Sequence, residues 1–265
     1  MRTLIIAIVG LLIGSFTYAD DIQIYCDDAP PTNFRADDGT VTGFTTDIVR
    51  EIQKRVGNVS EIEIYPWKRA YLMALKKPGI VLFTASRNPD RENKFHWIIQ
   101  VTTRRSALFS KAGSSIKINS LDEAKKVRNG IGVLRGGNRE KYLKNLGFTN
   151  LYSVNIEKQS IILLVFGRID LIFMSTLEAV TLARINGISF KEIEHKFTVY
   201  SNDSYVMMSK NGTSSETVKM WKNAAQQIKD DGTFKKIGDK WVKHIHRNYG
   251  VETEVRDNVL FFWKE

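Results

Sequence analysis

The apolar positions of this chain change period repeatedly, and the changes mark out its elements. Between Ile22 and Tyr25 apolar and polar residues alternate, the period of a half-buried strand, and Ala29-Pro30-Pro31 ends the run in a loop. Asp38-Gly39 marks a tight turn. From Thr46 to Val56 the period lengthens: Ile48, Val49, Ile52 and Val56 recur at helical spacing, and Gly57 stands where a helix closes in the left-handed conformation. A short strand over Ile62 to Tyr65, a helix over Lys68 to Lys77 and a buried strand over Ile80 to Thr84 follow. Strand, helix, strand, helix, strand is the pattern of a parallel α/β sheet.

The second half repeats this class of architecture without repeating the sequence. Ser120 with Glu123 forms a capping-box pattern that opens a helix, Gly130 to Leu134 is strand-like, and Arg139 to Leu146 is a helix closed by Gly147. A helix over Glu157 to Phe166 leads into a strand over Ile169 to Met174. A second capping box, Ser175 with Glu178, then opens a helix that runs to Arg184. Tyr205 to Ser209 reads as a strand, Thr213 with Glu216 caps a long helix to Asp231, Gly232 breaks it, and Phe234 to His246 forms another. Two α/β lobes imply a ligand cleft between them, because such sheets bind ligands at the carboxyl ends of their strands.

Composition narrows the class. The chain has 265 residues, 43% hydrophobic and 26% charged, with five Pro and 18 Gly, which excludes wholesale disorder and collagen-like or low-complexity chains. Arg2, the apolar run Leu4 to Ile13 and Thr17-Tyr18-Ala19 before Asp20 have the order of a secretory signal peptide over residues 1–19. The run is too short for a membrane span, which needs about 20 apolar residues. An exported, periplasmic protein is expected. Cys26 is the single cysteine, so no intramolecular disulfide forms, and it reads as a small buried hydrophobe. The net charge of +10 comes from Lys and Arg interspersed with Asp and Glu on predicted helix faces. That is a solvated exterior, and no nucleic-acid partner is expected.

Five motifs in order carry a family resemblance. They are Ala29-Pro30-Pro31-Thr32-Asn33-Phe34 with Gly43-Phe44-Thr45-Thr46-Asp47, then Thr84-Ala85-Ser86-Arg87-Asn88-Pro89-Asp90-Arg91 followed by Phe95 and Trp97, then Gly132 to Asn138, then Gly167 to Phe173, and last Lys229 to Ile237 with Trp241. Together they resemble the periplasmic solute-binding proteins of ABC importers, family 3 type, which include the polar amino-acid receptors. Trp67-Lys68-Arg69-Ala70 resembles a branch of that family with a Trp-x-Arg-Ala pattern. The resemblance implies an α/β two-lobe binding-protein fold of type II, with residues 20–104 and 201–265 in the first lobe and 105–200 in the second. It implies a monomer that closes on a small polar ligand by a hinge and presents it to a membrane permease. A sensor reporting to a membrane receptor needs the same cleft and stands as the alternative.

The same resemblance proposes site residues. Asn88 is a good N-cap and Pro89 suits the first helical position, which places Arg91 in a first helical turn. The resemblance gives Arg91 a ligand carboxylate, with Thr84 and Ser86 as polar neighbours; the other reading of Arg91 is an ion pair with Asp90 or Glu92. Phe34 is implied as a stacking surface. Trp67 and Arg69 suit a planar or anionic solute, or else core filling and a solvated helix face. Asn138 and Ser175 complete the set. Asn138 stands where the receptors have a threonine, and Ser175 where they usually have the Asp that holds an α-ammonium group, so a carboxylate-bearing solute other than an ordinary amino acid also fits.

Capture, not chemistry, is the expectation. Dehydratase-like enzymes share the fold, and Glu140 or Glu178 are the acids such chemistry would use. No Ser-His-Asp spacing, nucleophile elbow or phosphate loop accompanies them. His244-x-His246 reads as a surface pair, and no metal or cofactor is expected.

Overall fold

The computed structural model describes residues 21–264, so the signal peptide expected over residues 1–19 lies outside the described residues. The chain opens with strand β1 (Gln23–Cys26), a small hairpin of β2 (Phe34–Arg35) and β3 (Val41–Thr42), and helix α1 (Phe44–Val56). It continues through β4 (Ile62–Ile64), α2 (Trp67–Lys76), β5 (Ile80–Ser86) and the short α3 (Pro89–Glu92) into a long strand, β6 (Phe95–Lys111). The second half holds α4 (Leu121–Ala124), β7 (Ile131–Leu134), α5 (Asn138–Asn145), β8 (Leu151–Val154), α6 (Lys158–Val165), β9 (Leu171–Ser175) and α7 (Thr176–Ile185). A second long strand, β10 (Ile193–Ser209), returns to the first half, followed by α8 (Ser215–Asp230), α9 (Thr233–Tyr249) and a hairpin of β11 (Glu254–Arg256) and β12 (Val259–Phe261).

One sheet runs through both halves in the order β4-β1-β5-β10-β6-β9-β7-β8. Strands β4, β1 and β5 pair in parallel at one side, and β8, β7 and β9 at the other. The antiparallel pair of β6 and β10, 17 residues each, joins them. At one end of this pair β10 takes β5 as its partner through Ser204 to Met208; further along, β6 takes β9 through Ser106 to Phe109. Two α/β units therefore share two strands, which is the two-lobe binding-protein fold expected from sequence.

Each lobe has a core on both faces of its sheet. In the first, Phe44, Trp221 and Phe234 pack under α1, α8 and α9 against Ile24 and Phe83, while Tyr25, Ala70, Ala74 and Leu82 fill the face under α2. In the second, Phe109, Ile161 and Ile172 lie on one face and Leu108, Leu143 and Phe173 on the other. Cys26 is free and buried, as its sequence context implied, and burial pushes its thiol pKa up to about 12.

Two local expectations shift. The cap expected at Thr213 with Glu216 falls one residue later: Ser214 accepts the Thr217 N–H at 3.1 Å, while Thr213 Oγ1 accepts the Gly79 N–H at 2.9 Å and ties the helix start to the loop before β5. At Ser120 only half of a capping box forms, because Glu123 accepts the Asn119 N–H at 2.6 Å. The strand expected over Tyr205 to Ser209 is the last part of β10, and β6 carries no clean alternation at all. Strands that cross between lobes are covered on both faces in places and lie open to the cleft in others, so their period breaks.

Candidate functional site

The carboxyl ends of β5, β7, β8 and β9 converge on a cavity of about 440 Å³ between the lobes. Thr84 and Ser86 come from the end of β5, Ser175 from the end of β9, Arg139 from the first turn of α5 just after β7, and Glu157 from the turn after β8. The long strands form the floor through Arg104, Ser106, Asn202 and Ser204, and α7 adds Leu177, Glu178, Thr181 and Leu182. A larger groove of about 590 Å³ runs over the outer face of the first lobe past Arg35, Val59 and Glu61. The cavity between the lobes lies where the carboxyl ends of several strands meet, and both halves of the fold wall it.

The wall from the first lobe is held by a hydrogen-bond network. Thr84 sits at φ 59°, a left-handed conformation that is an outlier for a β-branched residue. A register shift makes Phe83 and Thr84 of β5 oppose the single residue Val206 of β10, so a bulge turns Thr84 out of the ladder toward the cleft. Its hydroxyl donates to Asn33 Oδ1 at 2.5 Å, and the buried Asn33 donates from Nδ2 to Asp27 O at 2.6 Å and Asp27 Oδ1 at 3.0 Å. Burial raises the Asp27 carboxyl pKa against the lowering by Asn33. Backbone strain of about 1–3 kcal/mol persists where surrounding contacts over-determine it, characteristically at ligand sites.

The wall from the second lobe is held by charge. Arg139 Nη1 pairs with Glu157 at 3.1 Å and its Nη2 with Glu178. Glu178 closes the capping box foreseen in the sequence, accepting the Ser175 N–H at 2.8 Å and the Ser175 hydroxyl at 2.6 Å, while Ser175 Oγ accepts the Glu178 N–H. Burial, then the neighbouring Glu178 charge, raise the Glu157 pKa, and Arg139 offsets them in part.

Of the site residues read from sequence, the fold brings Thr84, Ser86 and Ser175 to the cavity and places the others elsewhere. Arg91 donates to the Ser86 carbonyl at 3.0 Å, and its guanidinium lies between the rings of Trp67 and Tyr71, at 5.2 and 5.1 Å. The alternative ion pair with Glu92 belongs to Arg87 instead, with Nε at 2.8 Å. Asn88 caps α3 by accepting the Arg91 N–H at 3.1 Å, as its spacing predicted. Phe34 meets Trp241 edge to face at 6.4 Å, a core contact. Arg69 is exposed over Tyr65 at 4.5 Å, and Asn138 sits exposed at the start of α5. His244 packs on Trp241 at 4.7 Å, and His246 lies 3.0 Å from Glu252.

Arg104, Ser106, Arg139, Glu157, Asn202 and Ser204 were missed from sequence. For four of them, Arg104, Ser106, Asn202 and Ser204, a signal was present: Thr102-Thr103-Arg104-Arg105-Ser106 and Ser201-Asn202-Asp203-Ser204 are polar interruptions in otherwise apolar stretches, and they lie opposite each other across the β6–β10 ladder.

A sequence model described as bacterial extracellular solute-binding proteins, family 3, matches residues 22–244. The chain belongs to that family. Among curated members of the solute-binding proteins, it is similar to the L-cystine-binding protein TcyJ of Escherichia coli (strain K12), 24% identical over 215 residues that span 80% of this chain and 78% of that protein. The L-cystine-binding protein TcyA of Bacillus subtilis (strain 168) is also 24% identical, over 212 residues, 80% of this chain and 76% of that one. The fold matches the L-cystine solute receptor of Neisseria gonorrhoeae in its unliganded open conformation, with a TM-score of 0.64 at 20% identity, covering 89% of this chain and 95% of that one. A histidine kinase sensor domain with similarity to periplasmic binding proteins shares the fold at a TM-score of 0.63 and 17% identity, over 84% and 96%. Among the described residues, no helix of this solute-binding protein is long and apolar enough to cross a membrane.

Proposed function

We propose that this protein is a periplasmic receptor that captures a small polar, carboxylate-bearing solute, an amino acid or a close relative of one, for an ABC permease. The observation that carries this reading is the cavity between the lobes, walled by hydroxyl groups and by charges of both signs from the two halves. The names of the similar proteins make L-cystine the first solute to try. Residues 20–104 and 201–265 would form one lobe and 105–200 the other, so that bending where β6 and β10 cross closes the cleft around the solute. The protein acts as a monomer and captures its ligand without altering it. Glu140, one of the two acids a reaction would use, is held ionised with a pKa of about 2 by hydrogen bonds from Ser153, Gly136 and Lys144, and Glu178 is engaged by Arg139 and Ser175.

The test is the melting temperature of the purified protein against L-cystine, the standard amino acids and simple organic acids. A ligand at about 100 times its dissociation constant adds about 2.7 kcal/mol to the folded state, a rise of several degrees. No rise with any of them would count against capture of such a solute. Loss of uptake of a stabilising solute on deletion of the gene supports delivery to a permease; unchanged uptake supports the sensor.

A further inference from the structure

Arg104 is the cleft charge that the folded protein leaves least satisfied. Its guanidinium lines the cavity, lies 5.0 Å over the Phe262 ring and donates from Nη2 to the buried Thr32 hydroxyl at 3.0 Å. Its Nε is buried without an acceptor, and no carboxylate among the described residues forms an ion pair with it. Arginine does not escape such a position by losing its proton, so an enclosed, uncompensated guanidinium costs the free protein stability. Desolvation pulls its pKa down, and Glu178 and Asp27 are the carboxylates whose fields oppose that. The strand that carries Arg104 is also braced: β12 pairs with β6 at Thr102 and Thr103, and the Phe262 N–H donates to Thr103 O at 3.1 Å, which sets the aromatic face under the guanidinium.

The opposite wall has the complementary imbalance. Arg139 is one cation shared by the two carboxylates of Glu157 and Glu178, so that wall carries one negative charge in excess. A ligand that cancels both imbalances carries an anionic and a cationic group together. With Nε enclosed and Nη2 on Thr32, Nη1 is the donor of Arg104 left to meet a carboxylate from the cavity, in a charge-assisted hydrogen bond. Arg91, in contrast, already has rings on both faces and a carbonyl on Nη1.

We propose that Arg104, and not Arg91, grips the carboxylate of the captured solute, and that the Glu157–Glu178 pair receives a cationic group of the same molecule. This rests on the reading of the cavity as a solute site. The probes are L-cystine and the standard L-amino acids, and for any that raises the melting temperature, its carboxamide and its N-acetyl derivative. Against Arg104→Met the stabilising probe should bind about 100-fold more weakly or worse. The ligand-free variant should melt no lower than the parent, because a buried uncompensated charge has gone. Arg91→Met should lose less than about tenfold, as expected of a group outside the cavity. With the unaltered protein, the carboxamide and the N-acetyl derivative should each fail to stabilise, a readout that holds even where a variant does not fold. The inference is overturned by a probe that binds Arg104→Met as well as the parent, by Arg91→Met losing the probe while Arg104→Met keeps it, or by a carboxamide as effective as its acid. No response of the parent to any zwitterion while organic acids stabilise it overturns this inference alone. Silence toward every probe overturns the solute site as well.

Discussion

The two walls of the cleft are built by different physics. On the first-lobe side, Thr84 is held by an amide, Asn33, which is held in turn by Asp27 and the backbone, and the cation Arg104 is left with a hydroxyl and a ring. On the second-lobe side, one arginine binds two carboxylates and a capping serine completes the set. Directional hydrogen bonds fix positions with little dependence on salt, whereas a shared guanidinium fixes them through charges that titrate and are screened. Each wall alone is unbalanced, with positive charge at Arg104 on one side and negative charge in excess at Glu157, Arg139 and Glu178 on the other.

Four measurements sharpen or break this contrast. The largest effect is expected for Asn33→Ala, which strips a buried group of its bonds to Thr84 and Asp27 at once; urea unfolding should show a loss of about 3 kcal/mol, insensitive to added salt. A loss below about 1 kcal/mol would mean that the network does not hold that wall. Arg139→Ala leaves Glu157 and Glu178 facing each other. Because Glu178 is 38% accessible, the loss should be about 2 kcal/mol near neutral pH, smaller than for a fully enclosed pair. It should shrink as the solution is acidified and Glu157 takes up a proton, and equal loss at all pH values would contradict the charge-based wall. Ser175→Ala removes the cap of α7 and should cost about 1 kcal/mol, read as a lower urea midpoint with an unchanged slope. An unchanged midpoint would leave Ser175 without a structural task.

The smallest effect is a slope. Glu157 has a folded pKa raised above its ordinary 4.5, so the folded state holds the proton more tightly than the unfolded chain, and the stability linked to this group falls as pH rises through the window above 4.5. Glu157→Gln should flatten that part of the profile. Glu140 works in the opposite sense: its pKa is lowered to about 2, so its contribution is complete above 4.5 and is lost as pH falls toward 2. Glu140→Gln should therefore remove acid sensitivity that Glu157→Gln leaves in place, and identical profiles for the two variants would refute both assignments.

Local elements were legible because their signals are local. The periodicity of Ile48, Val49 and Ile52, the cap at Asn88 and the capping box of Ser175 with Glu178 each depend on residues within one or two turns, and each forms as read. The candidate site was legible only where a motif happens to end a strand, as at Thr84, Ser86 and Ser175. Arg91 shows the limit: its place in α3 followed from Asn88 and Pro89, but the rings that sandwich it are supplied by α2.

By itself the sequence determined the helices, the strands β1, β4, β5, β7 and β9, the two α/β units and the family, because hydrophobic period, caps and turns act over a few residues. Which charges meet was decided only by the tertiary structure. Arg139 finds Glu157 and Glu178, and Arg104 finds Phe262 and Thr32, across gaps in the chain that no period spans. Two strands shared between the lobes carry a polar stretch into the cleft, and the walls that close around it come from opposite ends of a folded sheet.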